Sequence, residues 1–164
     1  MSNLGEERLK GIYTLIILLE KNIRCRIAAL GPIRFSKGVY LYTGSARGQG
    51  STSVEGRIER HLDNRRHKFW HIDHLLSANG CKVLACIYAE TVKDVECVVN
   101  SKIQELTRGV FPVHRFGSSD CNCRSHLIFL QRRDIVRALR NVTEAYRRLR
   151  LKSRCWNPDQ MGFA

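Results

Sequence analysis

The stretch Gly38-Val-Tyr-Leu-Tyr-Thr-Gly-Ser-Ala46, "GVYLYTGSA", has the pattern of a buried strand that runs into an exposed glycine turn. Its two tyrosines, Tyr40 and Tyr42, occupy positions that a core strand more often gives to valine or isoleucine. A third tyrosine follows a glycine at the start of an earlier apolar run, Gly11-Ile12-Tyr13. Tyrosines at matching positions of two strands suggest a site as well as a core.

The rest of the chain predicts a single α+β domain with a small, mainly antiparallel sheet flanked by helices. The second predicted strand alternates, with Ile23, Cys25 and Ile27 on one face. The stretch Thr52-Ser53-Val54-Glu55 has capping-box spacing, and Gly31-Pro32 and Gly109 mark breaks. The predicted strands cover residues 11–19, 22–30, 38–43, 82–89 and 125–130, and the predicted helices cover 53–64, 70–78, 91–107 and 135–149. We expect residues 1–131 to form the main body and 132–164 to form a basic helix and tail packed on it.

Charge is the strongest bulk feature of these 164 residues, a length that suits one domain. The chain carries 28 Lys and Arg against 15 Asp and Glu, a formal net charge of +13. Such an excess favours a polyanionic partner, most often nucleic acid, although a merely basic soluble protein is the alternative. The sequence contains seven cysteines but no recognisable secretion signal. No apolar run in it is long enough to cross a membrane. We therefore expect reduced thiols and a cytoplasmic protein without a membrane partner.

Three polar residues on the predicted helices are further candidates for a site, namely Arg57, His61 and Glu96. Arg57 and His61 are four residues apart, so they share one helix face while Ile58 and Leu62 point to the core. Glu96 lies in the first turn of a predicted helix. Each has a simple structural interpretation, a solvated basic face for the pair and a favourable dipole interaction for the glutamate.

The order of these residues resembles the GIY-YIG nuclease superfamily. The similarity covers about residues 10–130 and is closest to an archaeal GIY-YIG-like branch, some members of which are joined to a DNA-repair glycosylase domain. The stretch between the two motifs, residues 14–41, is longer than usual, which fits an added strand. The matching stretches are "GVYLYTGSA" (38–46), "GRIERHL" (56–62), "FWHIDHLL" (69–76) and "FGSSDCNCRSHLIF" (116–129).

The resemblance implies a role for five residues. Tyr13 and Tyr42 would orient or deprotonate the water that attacks a phosphodiester, and Arg57 would bind the phosphate. His61 matches a position where the family has histidine or tyrosine, and Glu96 would hold one Mg²⁺ or Mn²⁺ ion. Tyr40 matches no motif position, so it is interpreted as packing.

The resemblance thus predicts a metal-dependent endonuclease that acts on nucleic acid, with DNA favoured and a DNA-repair protein as a conceivable partner. A binding module that kept this fold and its basic surface but lost catalysis is the alternative. A zinc-stabilised interaction protein without a nucleic-acid function is a third class.

Cys121-x-Cys123-x-x-His126 is a second candidate site, because thiolates and imidazole suit Zn²⁺. A fourth ligand would come from His114, Cys81, Cys86 or Cys155. Buried free cysteines, or a supporting wall of the active site, are the simpler interpretations. His71 and Asp73 are interpreted as a hydrogen-bonded pair or a substrate contact.

Basic side chains near the active site and in the tail are candidate nucleic-acid contacts. Residues 132–154 hold nine Arg or Lys and two acidic residues, which gives a net charge of +7 for this segment. A solvated helix face is the alternative to a surface that binds backbone phosphates. The candidate contacts are Arg47, Arg60, Arg147, Arg148 and Arg150.

Overall fold

A computed structural model describes residues 10–47, 53–63 and 67–158, which form one α+β domain, as predicted. The main sheet consists of β1 (Gly11–Leu19), β4 (Gly38–Ala46), β5 (Cys81–Glu90), β6 (Leu127–Leu130) and β7 (Ser153–Trp156). Two short strands, β2 (Ile23–Arg26) and β3 (Pro32–Phe35), pair separately. The helices are α1 (Val54–Leu62), α2 (His71–Leu76), α3 (Glu96–Thr107) and α4 (Ile135–Arg148). The five strands pair antiparallel in the order β6–β4–β1–β5–β7.

The central strand β1 is buried on both faces, which explains its nearly continuous apolar sequence. Side chains alternate between the two faces of a strand. Tyr13, Leu15 and Ile17 enter one core, while Ile12 and Ile16 enter the other. A shift of the strand by one residue would exchange these two sets, so the pairing register is strongly specified.

The register of β1 against β4 brings the motif tyrosines together. Leu15 lies opposite Tyr42 and Tyr13 lies opposite Gly44, so both tyrosines project from the same face of the sheet. Tyr40 is on that face too, but it is 1% exposed and its hydroxyl donates to the Ser36 carbonyl at 2.6 Å. Its interpretation as a packing residue is confirmed.

Helices cover the two faces of the sheet in separate layers. Ile58 of α1 and Leu75 of α2 pack on the face that carries the tyrosines. Ile103 of α3 with Val142 and Tyr146 of α4 pack on the opposite face. The exposed side of α4 therefore points away from the layer that contains the tyrosines.

The second predicted strand, residues 22–30, is shorter than expected. It ends at Arg26, and a 3₁₀ turn (Ala28–Leu30) leads to β3, which the sequence analysis missed because Gly31-Pro32 marks a break. Gly31 has φ of 77° and turns the chain back, so that β2 and β3 form an antiparallel hairpin. The added length between the two motifs is thus a two-stranded hairpin beside the main sheet.

All four helices differ from the predicted boundaries, and α3 differs most. Helix α1 begins after Ser53, whose hydroxyl accepts a hydrogen bond from the Gly56 N–H at 3.1 Å, and ends at Leu62. The predicted end at residue 64 and the capping-box residue at 52 lie outside the described residues. Leu62 is 41% exposed, so its predicted core position is wrong. Helix α3 begins at Glu96 rather than within 91–94, and Val98 in its first turn is 52% exposed.

The C-terminal segment contributes a helix and an edge strand to the same domain. Asp134 caps α4 by accepting a hydrogen bond from the Arg137 N–H at 2.9 Å. The inner face of α4 is apolar, with Val142 and Tyr146 fully buried. The strand β7, which pairs with β5, was missed because its four residues, SRCW, do not alternate between polar and apolar. Within the described part of the chain, every helix is too short or too polar to cross a membrane.

Candidate active site

Two glycines make room for the motif tyrosines. A Cβ atom at Gly44 would lie 2.5 Å from the Tyr13 hydroxyl, so the second motif needs glycine opposite the tyrosine of the first. Gly117 has φ of 69°, and a Cβ there would lie 2.8 Å from the Tyr42 ring. Both tyrosine rings are therefore packed tightly against backbone.

Tyr13, His61 and Asp73 form a hydrogen-bonded chain behind the tyrosine. The Tyr13 hydroxyl lies 2.8 Å from Nε2 of His61, and Nδ1 of His61 lies 3.2 Å from Oδ1 of Asp73. The second oxygen of Asp73 accepts from the Phe69 and Trp70 N–H groups at 2.9 and 2.8 Å. His61 is 4% exposed, so α1 carries it into the core rather than on a solvated face.

Burial and the neighbouring carboxylate determine the protonation states of Tyr13 and His61. Burial raises the pKa of Tyr13 well above 10, so the phenol is protonated at neutral pH. Burial also lowers the pKa of His61, although the Asp73 carboxylate opposes this shift, so the imidazole is neutral at pH 7. The Tyr13 O–H therefore donates to Nε2, and the Nδ1–H donates to Asp73.

Asp73 should link the stability of the domain to pH. Its burial alone would raise its pKa, but the hydrogen bonds from His61, Trp70 and Phe69 prevail and lower the pKa from 3.8 to about 2. A lowered folded-state pKa contributes stability above pH 4 that is lost as the pH falls towards 2, on the order of 2 kcal/mol. We expect Asp73→Asn to remove this part of the acid dependence of the free energy of unfolding, measured by urea denaturation between pH 2 and 6.

Asp94→Asn is the matched control, because Asp94 is a surface residue whose side chain is 73% exposed. It should leave the acid dependence unchanged. An Asp73→Asn variant that follows the wild-type acid curve would contradict this role of Asp73.

Arg57 lies next to the Tyr13–His61–Asp73 hydrogen bonds, and its guanidinium packs on an aromatic ring. Its Cζ lies 4.1 Å from the centroid of Trp70, and the Arg60 Cζ lies 4.6 Å from the same ring. Arg60 also lies 3.6 Å from Asp73 and donates to the His67 carbonyl. Among the described residues Arg57 has no carboxylate partner, and its Nε is buried without a hydrogen-bond acceptor. Its charge is thus available to an anion in the pocket.

Glu96 reaches the same region from the first turn of α3. Its Oε2 accepts from the Ser45 hydroxyl at 2.8 Å, so β4 helps to fix the carboxylate. Its Oε1 lies 2.8 Å from Nδ1 of His126, which is ion-pair distance without hydrogen-bond alignment. The side chain is 21% exposed, so a solute can still reach it.

These groups line one open pocket of about 340 Å³. Its walls include Tyr13, Tyr42, Arg57, Glu96 and Asp120. Three other pockets are larger, at about 380, 640 and 690 Å³, but none of them joins an arginine without an ion pair to a tyrosine–histidine–aspartate chain. Chemistry rather than size therefore identifies the candidate active site.

The acidic side chains of the pocket fit a hard divalent cation. Mg²⁺ is usually held by one or two carboxylates, with water and substrate phosphates completing its shell. Glu96 and Asp120 both line the pocket, and each Glu96 oxygen keeps a free lone pair beyond its contacts with Ser45 and His126. These two residues could hold such an ion.

A model of the family described as "Domain of unknown function DUF123" matches residues 12–149, from β1 to the end of α4. The chain belongs to the DUF123 family. No curated protein and no solved structure matches the chain. Because the family description gives no function, the resemblance to GIY-YIG nucleases stays a prediction.

The DUF123 chain also brings together a cysteine–histidine cluster at the edge of the pocket. Cys97, Cys121, Cys123 and His126 have ligand atoms within 4.8 Å of one another, so the cluster could hold a metal ion. Cys97 takes the fourth position, for which the sequence analysis considered His114, Cys81, Cys86 and Cys155. Those four residues are not part of the cluster.

The other predicted nucleic-acid contacts of the DUF123 chain lie outside the pocket, and most of them make ion pairs. Arg47 lies 2.6 Å from Asp94. Arg147 and Arg148 both contact Glu144, at 2.7 and 2.8 Å. Arg150 is exposed just beyond α4. Exposed ion pairs contribute little stability, so these arginines remain free to exchange carboxylates for phosphates.

Sequence reasoning missed one participant of the site and misassigned another. Asp73 was paired with His71, but it contacts His61, while Nδ1 of His71 accepts from the Gly117 N–H at 2.9 Å. Ser45 was not considered as a partner of Glu96. A signal for Asp73 was present, because a carboxylate three residues after Trp70 is placed to cap the start of α2.

Proposed function

We propose that this DUF123 protein is a divalent-metal-dependent endonuclease that cleaves phosphodiester bonds in nucleic acid, with DNA as its substrate class. One observation carries the proposal. A tyrosine bonded to a histidine–aspartate pair, an arginine without a carboxylate partner and a partly exposed glutamate line the same pocket.

Proton transfer is the first task that this arrangement supports. Attack of water on a phosphodiester requires the water to lose a proton. A tyrosine with a raised pKa is a poor base alone, but Tyr13 can take this proton while it passes its own to the neutral His61. Asp73 then stabilises the imidazolium that forms. Tyr42, beside Tyr13 on the same face, is placed to orient the water or a phosphate oxygen.

Charge stabilisation is the second task. Negative charge grows on the phosphate oxygens and the leaving oxygen during cleavage, and pre-positioned donors lower this barrier. Arg57 supplies a fixed guanidinium that stacks on Trp70. A divalent ion on Glu96 would supply further Lewis-acid stabilisation of the same oxygens.

The net charge is consistent with a nucleic-acid substrate, and the free thiols are consistent with a reducing compartment. The net charge of +13 favours a polyanion. The cysteines of the described residues are all free thiols, which suits a reducing compartment such as the cytoplasm.

A catalytically inactive nucleic-acid-binding module is the second candidate. It is favoured by the engagement of both Glu96 oxygens within the chain, through Ser45 and His126, which competes with metal binding.

Glu96→Gln tests the proposal against this alternative. We expect the variant to bind labelled DNA almost normally but to cut it about 10²–10³-fold more slowly in Mg²⁺ or Mn²⁺, because the amide no longer compensates a cation's charge. Asp94→Asn, a neighbouring isosteric change outside the pocket, should cut at the wild-type rate. Equal cleavage by both variants would remove Glu96 from the metal site.

A further inference from the structure

Four potential metal ligands lie close together beside the pocket. None of them has a role in the proposed cleavage of phosphodiester bonds. Cys97 is the second residue of α3, while Cys121, Cys123 and His126 belong to the loop that precedes β6. Their ligand atoms all lie within 4.8 Å of one another. Residues 24 or more positions apart in the sequence thus converge, which accidental proximity within one loop does not explain.

The distances suit a tetrahedral zinc ion. Zinc–sulfur bonds of about 2.3 Å and zinc–nitrogen bonds of about 2.0–2.1 Å at tetrahedral angles place sulfur and nitrogen about 3.5 Å apart. The Sγ atoms of Cys121 and Cys97 lie 3.5 and 3.8 Å from Nε2 of His126. The cluster therefore needs little movement to close around the ion.

His126 is oriented as zinc-bound histidines usually are. Its Nε2 faces the sulfur atoms, while its Nδ1 contacts the Glu96 carboxylate at 2.8 Å, and the ring is 1% exposed. A carboxylate that accepts the N–H of the far nitrogen fixes the ring and strengthens its donation to the metal, and Glu96 lies close enough to His126 to do so once the two groups align. This contact is a feature that packing of free cysteines would not require.

Polar contacts help to hold the loop that carries the ligands, in addition to the burial of Phe116 in the core. The Ser118 hydroxyl donates to the Cys123 carbonyl at 2.9 Å, and the Asn100 side chain donates to the Ser125 carbonyl at 2.8 Å. These bonds place the backbone but leave the thiol groups converging on each other. Three thiols and an imidazole at such spacing are the ligand set of a closed structural zinc site.

We propose that Cys97, Cys121, Cys123 and His126 bind one structural Zn²⁺ ion. The ion ties the start of α3 to the loop before β6. If the proposed nuclease function holds, the ion also orients Glu96 through His126 and braces the pocket wall formed by Ser119 and Asp120.

Metal analysis of the full chain tests this site. Protein expressed with added zinc and purified without chelator should contain about one zinc per chain by mass spectrometry of the elements. Cys155→Ser, which removes an exposed cysteine outside the cluster, should keep the full content. Cys97→Ser and Cys123→Ser should lose most of it.

Alkylation of the wild-type protein covers the case in which these variants fail to fold. Under native conditions Cys155 should react with iodoacetamide, while the three cluster thiols should react only after a chelator is added, as read by peptide mass mapping. Wild-type protein that contains iron, or no metal after exposure to zinc, would overturn the proposal. Cluster thiols that react as fast as Cys155 would overturn it too. One zinc per chain in a protein that cuts no nucleic acid would support this site and count only against the nuclease.

Discussion

Replacing Arg57 by alanine should slow phosphodiester cleavage about 10²–10³-fold, the usual loss for one group that stabilises transition-state charge. The guanidinium has no carboxylate partner among the described residues and lies at the pocket wall. Arg57→Lys should recover only part of the rate, because an ammonium keeps the charge but loses the planar contact with Trp70. Single-turnover rates on a labelled DNA substrate measure these losses.

Arg47→Ala is the matched control for Arg57. Arg47 is 60% exposed and paired with Asp94, so its removal should change affinity slightly and the cleavage step hardly at all. Equal rate losses for Arg47→Ala and Arg57→Ala, with both proteins folded, would show that the arginine effect is general charge rather than transition-state stabilisation.

Tyr13→Phe should slow cleavage by about 10²–10⁴-fold, the range for loss of a proton-transfer group. The phenyl ring keeps the packing against Gly44, so the change removes only the hydroxyl that donates to His61. Leaving the buried His61 nitrogen without its donor should also cost about 1–3 kcal/mol of stability.

Tyr40→Phe separates these two effects. It too removes one buried hydroxyl from the same sheet face, where the donor bonds the Ser36 carbonyl, but it lies outside the pocket. We expect a similar loss of stability by urea denaturation with cleavage intact. If Tyr13→Phe cuts as fast as Tyr40→Phe, then Tyr13 takes no part in proton transfer.

Strand patterns in the sequence were enough to place Tyr13 and Tyr42 on strands, whereas a common site for the two tyrosines followed from the family resemblance. The apolar residues of β1 are nearly continuous, and the motif stretch of β4 is buried as well, so the sequence predicts both strands without fixing their register. The sequence also placed Glu96 near the start of α3, although the helix begins at Glu96 itself rather than within 91–94. These features are local, so one sequence is sufficient to predict them.

Contacts between distant segments were not predictable in this way. Asp73 meets His61 only because α1 and α2 pack side by side, and Cys97 meets the loop before β6 only through the sheet. The position of the basic side chains of α4 relative to the tyrosines was also not predictable from the sequence. Its sequence gives an amphipathic basic helix, but only the fold shows that α4 covers the face of the sheet opposite the tyrosines.

This position of α4 changes what its arginines can do. Arg147 and Arg148 lie on the exposed side of α4, so any contact that they make with nucleic acid would be on the side of the sheet opposite α1 and α2.

Cleavage and binding by the wild-type protein, measured on the same labelled substrates, test the central claim most directly. A panel of duplex, flap, junction and single-stranded DNA is incubated with Mg²⁺ or Mn²⁺, and affinity at low salt is measured by fluorescence anisotropy. The nuclease account predicts that at least one substrate is both bound and cut, that EDTA stops cutting, and that Arg57→Ala binds this substrate but cuts it far more slowly. Binding without any cutting across the panel would contradict the account and leave a binding module, and no binding at low salt would contradict a nucleic-acid function.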